Sequence, residues 1–169
     1  TKDTLKGESI LVTGGGSGLG LGMAKAFAAH GANVAICGRT EDKLIEALKE
    51  IQGEGKFKYY VCDVRDHENV TKMIADLAAE FGTLTGLVNN AAGNFLCAAE
   101  DLTPNGFRSV VDIVLQGSFN CSHAFGKYCL ENNLNKGNIL NIVTTYTQSG
   151  CAFVLPSACA KAGVYAMTM

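Results

Sequence analysis

Ile10-Leu11-Val12-Thr13-Gly14-Gly15-Gly16-Ser17-Gly18-Leu19-Gly20 is the stretch that decides the fold. Its first four residues read as a short buried strand that runs directly into a glycine-rich turn. Beyond the turn, Met23, Ala24 and Phe27 recur at helical spacing, so a helix follows with that face on the core. Glycine lets a backbone come close to a ligand, and the free amides at a helix N-terminus favour negative charge. Strand, glycine turn and helix together therefore predict a cradle for a pyrophosphate, with a tight turn that holds no ligand as the alternative.

Outward from that unit, short apolar runs alternate with helical periodicity. Further strands are expected at Asn33 to Cys37, Lys58 to Val61, Gly86 to Asn89 and Asn138 to Val143, all five apolar enough to be buried on both faces. Leu44, Ile45, Leu48 and Ile51 give one helix a core stripe, and Val70, Met73, Ile74, Leu77, Ala78 and Phe81 give another. One long helix is expected from Pro104, capped by Thr103, towards Tyr128, and a last one from near Ser157. The pattern is that of an α/β protein, a Rossmann-type doubly wound parallel sheet, occupying residues 1–169 as a single domain. No Gly, Asn or Pro stop precedes Met169, so the chain is expected to break off within the helix after the fifth strand.

Composition narrows the partners. With 14 basic against 16 acidic residues, a net charge of -2, and no run of like charge, nucleic acid is not expected. No apolar stretch is long enough for a membrane span, and the N-terminus lacks a signal-peptide pattern. The seven cysteines form no CxxC pair and no zinc-ligand spacing, which predicts no metal site, buried structural thiols and a reducing soluble compartment. Cys159, between Ser157 and Lys161, is either a reactive thiol or a helix residue packed on the sheet.

Where a dinucleotide fold usually carries an acid for the adenosine ribose, this chain has Gly38-Arg39. Arg39 suits the 2'-phosphate of NADP, whereas a carboxylate would repel it; a surface arginine at the start of a helix is the alternative. Asp63 follows the third strand in Cys62-Asp63-Val64, and spacing alone leaves it open between ligand contact and loop cap. After the fourth strand comes Asn89-Asn90-Ala91-Ala92-Gly93-Asn94-Phe95, on the side of the sheet where such folds bind ligands.

The TGxxxGxG spacing of Thr13 to Gly20 and the loop at Asn89 to Gly93 resemble the short-chain dehydrogenase/reductase family. That resemblance implies nucleotide contacts from Gly14, Ser17, Gly18, Leu19, Gly20, Asp63, Val64, Asn90, Ala91, Gly93, Thr144 and Lys161, with Asp63 on the adenine. The catalytic set departs from the family. Ser157, four residues before Lys161, stands where a tyrosine is usual, Thr144 replaces the usual serine, and Val114 replaces an asparagine. A serine hydroxyl is a much weaker acid than a phenol and is a poor proton donor to an alkoxide. Tyr146 and Asn94, just beyond neighbouring strands, offer a phenol and an amide in compensation, though each also reads as an ordinary loop residue.

Those departures resemble the 2,4-dienoyl-CoA reductases, through Asn89 to Phe95, Asp112-Ile113-Val114-Leu115, Pro156 to Gly163, and Tyr146 fifteen residues before Lys161. The resemblance implies reduction of 2,4-dienoyl-CoA by NADPH to 3-enoyl-CoA, in the β-oxidation of unsaturated fatty acids. Tyr146 and Asn94 would hold the thioester oxygen, Ser157 would support them, and Lys161 would anchor the nicotinamide ribose. It also implies an acyl-CoA substrate, a homotetramer, and a home in bacterial cytoplasm, mitochondrial matrix or peroxisome. A reductase of another enoyl or carbonyl substrate, and an NADP-binding sensor without turnover, remain the alternatives.

Overall fold

The computed structural model describes residues 3–169. Five parallel strands form one sheet: β1 (Ser9–Thr13), β2 (Asn33–Gly38), β3 (Phe57–Val61), β4 (Gly86–Asn89) and β5 (Asn138–Asn141), in the order β3-β2-β1-β4-β5. β1 pairs with β2 from Ser9 opposite Asn33 to Thr13 opposite Cys37, and on its other edge with β4 from Ile10 opposite Gly86. The chain first winds from β1 outward to β3 and then returns to β4. The winding direction reverses at the β1/β4 seam, and ligands of open parallel sheets bind there, at the carboxyl ends of the strands.

Alternation along the central strands sends side chains to two cores. Ile10, Val12, Val34, Ile36 and Val88 pack under α1 (Gly18–Ala29) and α2 (Glu41–Glu50), through Ala24, Ala28, Leu44 and Ala47. Leu11, Ala35, Cys37 and Leu87 pack on the other face, under α3 (His67–Phe81) and the long helix that follows β4, through Val70, Met73, Ile74, Leu77, Cys121 and Phe125. Helices on both faces make the sheet doubly wound, as expected, and the α3 stripe is the one its spacing predicts.

The long helix is broken in a way the sequence did not reveal. α4 (Pro104–Val111) continues through a π-helical turn, Asp112–Gln116, into α5 (Gly117–Glu131), and the backbone stays helical across both junctions. Thr103 does cap it, its hydroxyl accepting from the Gly106 amide at 3.1 Å. A short α6 (Tyr146–Ser149) precedes α7 (Leu155–Thr168), which packs on α4 and the π-helical turn through Val110, Val114, Ala160 and Val164.

Burial on both faces fails for the two edge strands. Val61 in β3 is exposed, as are Ile139 and Leu140 in β5, and β5 ends at Asn141 rather than Val143. Each edge strand has a single neighbouring strand, so a short apolar run need not be a covered one. Cys159 is likewise exposed rather than packed on the sheet. The buried stripe of α7 is Pro156, Ser157, Ala160, Lys161 and Val164, and Cys159 falls off it.

Candidate active site

The glycine turn is fixed by one hydroxyl. Thr13 Oγ1 donates to the Val88 carbonyl at 3.2 Å and accepts from the amides of Asn90 and Ala91 at 3.0 and 2.9 Å, tying the end of β1 to the loop after β4. The Asn90 carboxamide donates back to the carbonyls of Thr13 at 2.9 Å and Gly14 at 3.3 Å. Gly14 and Gly18 lie at φ of +65° and +53°, where a side chain is strained. At Gly20 an added Cβ would stand 2.4 Å from the Gly14 carbonyl oxygen, so α1 starts as close to the turn as backbone allows.

Beside this turn runs a groove of about 170 Å³, on the scale of a cavity that takes one aromatic ring. Gly14, Gly16 and Ser17 form its floor, and Gly38, Arg39, Thr40 and Lys43 its β2 side. Cys62, Asp63 and Val64 close it beyond β3, with Ala91, Ala92 and Ile113 opposite. Gly14, Ser17, Arg39, Asp63, Val64 and Ala91 thus meet where the sequence placed them. Gly18, Leu19, Gly20, Asn90, Gly93, Thr144 and Lys161 lie outside that groove: Gly20 and Asn90 brace the turn, Leu19 is exposed in the first turn of α1, and Gly93 packs on Ile113. Lys43, which sequence reading missed, lies in the first turn of α2, four residues after Arg39.

Two opposite charges line this groove, and only one of them is paired. Asp63 accepts from the Arg65 amide at 3.1 Å and from its guanidinium at 3.0 Å, and these bonds hold its carboxyl below the ordinary range. The loop-capping alternative for Asp63 is therefore realised, on a residue that also faces the groove. Arg39 is exposed and forms no ion pair among the described residues.

The second cluster lies on α6, α7 and the end of β5. The Tyr146 and Ser157 hydroxyls are 2.8 Å apart, and Ser157 is 4% exposed, so water does not compete for it. Lys161, one turn further along α7, is 6% exposed; its ammonium donates to the Ile142 carbonyl, and burial pushes its pKa down. Thr144 serves α6 itself, its hydroxyl accepting from the Tyr146 amide at 3.2 Å and its carbonyl from Thr147 at 2.8 Å.

Asn94 sits exposed on the loop after β4, and no hydrogen bond joins it to Tyr146 among the described residues. That loop is nevertheless tied to the segment before α7, where the Cys97 amide donates to the Phe153 carbonyl at 3.0 Å and Phe153 is held at φ +65°. For a bulky residue this backbone is strained, and such strain clusters at functional sites. Val114 is buried against Ala160 and leaves no polar group beside Lys161 at that position. All seven cysteines are free, and burial pushes the Cys62 and Cys121 thiols up to about 11 and about 12, which keeps them protonated. Among the described residues no group of three side chains is placed to hold a metal, and no helix is long and apolar enough to cross a membrane.

Comparison with known proteins adds to this geometry. Residues 8–169 match the family model of the short chain dehydrogenases. A probable 2,4-dienoyl-CoA reductase of Bacillus subtilis, (2E)-enoyl-CoA-producing by name, is 44% identical over 95% of this chain and 63% of its own length. The peroxisomal 2,4-dienoyl-CoA reductase of Arabidopsis thaliana, (3E)-enoyl-CoA-producing by name, is 39% identical over 98% of this chain and 58% of its own. The chain therefore spans less than two thirds of these relatives. Among solved structures, a short chain dehydrogenase from Bacillus anthracis superposes with a TM-score of 0.92 at 51% identity, covering 95% of this chain and 67% of that one. An NAD+-bound xylitol dehydrogenase superposes at 0.93 with 25% identity, over 98% of this chain and 64% of that one.

Proposed function

Because the chain belongs to the short-chain dehydrogenase family, we propose that it forms the NADP-binding domain of a 2,4-dienoyl-CoA reductase, which uses NADPH to make 3-enoyl-CoA from 2,4-dienoyl-CoA during the breakdown of unsaturated fatty acids. The observation that carries this reading is the 2.8 Å contact between Tyr146 and the buried Ser157, with Lys161 one turn beyond. The family's usual phenol is absent from position 157, and a phenol is supplied from α6 instead. The names of both relatives support a 2,4-dienoyl-CoA reductase; the Arabidopsis thaliana name carries the 3-enoyl product proposed here, and the Bacillus subtilis name a 2-enoyl one.

The residues present fit a nicotinamide dinucleotide. The turn is closed to side chains at Gly20, and the α1 N-terminus offers free amides for a pyrophosphate. The groove is of aromatic-ring size, and Arg39 and Lys43 supply cations for a ribose 2'-phosphate. Gly14, Ser17, Gly18, Leu19 and Gly20 would take the pyrophosphate, Val64, Asn90, Ala91 and Gly93 the loops around the adenosine and the nicotinamide, and Lys161 the second ribose. Asp63, pinned by Arg65, would present its remaining acceptor capacity to the adenine amine. Bound NADPH supplies a hydride.

The chain's own side chains act on the other end of the substrate. As the diene accepts the hydride, negative charge moves to the thioester oxygen. Tyr146 donates a hydrogen bond there, and Asn94 joins it from the loop after β4. Donors aimed at developing charge in a water-poor site commonly contribute the largest share of rate enhancement. Ser157 holds the phenol, and the strained Phe153 segment links the two loops. Proton delivery to the carbon next to the thioester gives the 3-enoyl product.

The test is direct. The purified full-length protein is given NADPH with a 2,4-dienoyl-CoA or a simple ketone, cofactor oxidation is followed optically, and the product is identified by NMR. Turnover of the dienoyl thioester to a 3-enoyl product is expected. Turnover of ketones alone refutes the assignment, and nucleotide binding without turnover on any enoyl or carbonyl substrate supports the sensor.

A further inference from the structure

The wall of the groove beyond β3 has little of its own to hold it. Past the Cys62 amide, which donates to the Gly38 carbonyl at 2.9 Å, Asp63 and Val64 leave the sheet, and the Asp63 pair with Arg65 is local. The long-range tie comes from α5. Asn120, 3% exposed, donates its carboxamide to the Val64 carbonyl at 2.9 Å and the Arg65 carbonyl at 3.2 Å. Carbonyls only accept, so the amide nitrogen must face them, and its oxygen is then free for the Gln116 amide, which donates at 2.9 Å. At Gly117 an added Cβ would stand 2.5 Å from Val64 Cγ2, so the helix lies flat against the same loop.

The π-helical turn gives this tie its setting. Ile113, inside the turn, lines the groove directly, while Asn120 reaches it through Val64. Val110 and Val114 of the same stretch pack on Ala160 and Val164 of the helix that carries Ser157 and Lys161. π-turns inside α-helices recur at functional sites, where they re-aim side chains.

We propose that Asn120 is the positioning residue for the adenosine end of the bound dinucleotide, setting the backbone of Val64, which walls the groove, and of Arg65 beside it. It rests on the nucleotide reading above and adds a residue that the glycine motif and the ribose-binding cations do not include. A ligand that carries the adenosine half alone, such as adenosine 2',5'-bisphosphate, senses Asn120. A ligand that carries only the nicotinamide half does not.

Calorimetric titration with adenosine 2',5'-bisphosphate and with reduced nicotinamide mononucleotide tests this, alongside the KM for NADPH. Asn120→Asp keeps the shape but sets an acceptor against two carbonyls. It is expected to weaken the bisphosphate and raise the KM for NADPH about tenfold, the scale of one buried hydrogen bond, with kcat and mononucleotide affinity held. A folded Asn120→Asp that binds the bisphosphate within about twofold of wild type overturns the proposal. So does one that loses the bisphosphate, the mononucleotide and kcat together, because the role is then general packing. Gln116 is exposed, and Gln116→Ala covers the case in which Asn120→Asp does not fold. A KM raised about threefold at constant kcat is expected, and an unchanged KM overturns the idea. Wild type that binds neither nucleotide refutes the nucleotide reading and this inference with it, a result distinct from wild type and Asn120→Asp binding alike.

Discussion

Two glycines two positions apart in α1 should respond to alanine in opposite directions. At Gly20 the new Cβ would sit 2.4 Å from the Gly14 carbonyl oxygen and 2.6 Å from Asn90 Nδ2, about 0.6 Å inside the closest approach that real Cβ atoms make to backbone. Relief requires α1 to move off the turn or Asn90 to give up its bonds to the Thr13 and Gly14 carbonyls. Overpacking of this kind costs about 1–3 kcal/mol, which for a chain of this size lowers Tm by roughly 3–10 °C. At Gly22 a Cβ meets nothing within 4 Å, and the residue is inside the helix and exposed. Gly22→Ala should therefore stabilise by about 0.5–1 kcal/mol, through the lower backbone entropy of the unfolded chain. Thermal unfolding by circular dichroism reads both, and NADPH fluorescence titration adds the function, with Gly20→Ala losing at least about tenfold in affinity. Equal Tm shifts for the two variants, or Gly20→Ala binding like wild type, would refute the argument that close backbone approach sets this residue.

Three further outcomes follow from the site. Tyr146→Phe should lower kcat by about a hundredfold or more, the usual effect of removing a donor to developing charge, and leave NADPH affinity within about twofold; an unchanged rate removes Tyr146 from the reaction. Arg39→Ala should reduce the preference for NADPH over NADH by about ten- to a hundredfold, since Arg39 lines the groove and Asp63 is already engaged by Arg65. The ratio of the two kcat/KM values measures it, and an unaltered ratio assigns the 2'-phosphate elsewhere. Burial lowers the Lys161 pKa from its ordinary 10.5, so the folded protein sheds this proton at a pH where the unfolded chain still holds it. Below the folded value the buried charge is a penalty, and stability rises as pH climbs from there towards 10.5. Urea midpoints across that interval should show the rise in wild type and a flatter line in Lys161→Met; parallel lines would contradict the linkage.

The legible parts of this molecule were those in which a local pattern forces a local shape. Thr13 to Gly20 predicted strand, turn and helix because glycine at strained φ and a helix N-terminus are properties of a few consecutive residues. The stripe from Val70 to Phe81 predicted a packed face for the same reason. Ile139 and Leu140 misled because apolar character reports what a strand can bury, whereas exposure depends on whether another element lies over it. The π-turn at Asp112–Gln116 has no composition of its own, since one added residue per turn leaves an ordinary helical sequence. Asn120 was invisible because its partners, the Val64 and Arg65 carbonyls, are backbone groups 56 and 55 residues away that any sequence would supply. Asp63 was legible as a groove residue, but its bond to Arg65 required the turn geometry.

In the proposed reaction, the 2.8 Å contact between Tyr146 and Ser157 has a direction that chemistry sets. Each hydroxyl owns one proton. If Tyr146 points its own at a thioester oxygen, the contact with Ser157 must be made by the serine proton, donated to the phenol oxygen. Hydrogen bonds in a chain polarise one another, so a bond donated to that oxygen makes the phenol a better donor to the substrate. Because Ser157 is buried, no water takes this place when serine turns away. A serine is too weak an acid to replace a phenol by standing at position 157, yet it is well suited to strengthen one that approaches from α6. The hydroxyl at 157 therefore acts through Tyr146 and not directly on the substrate.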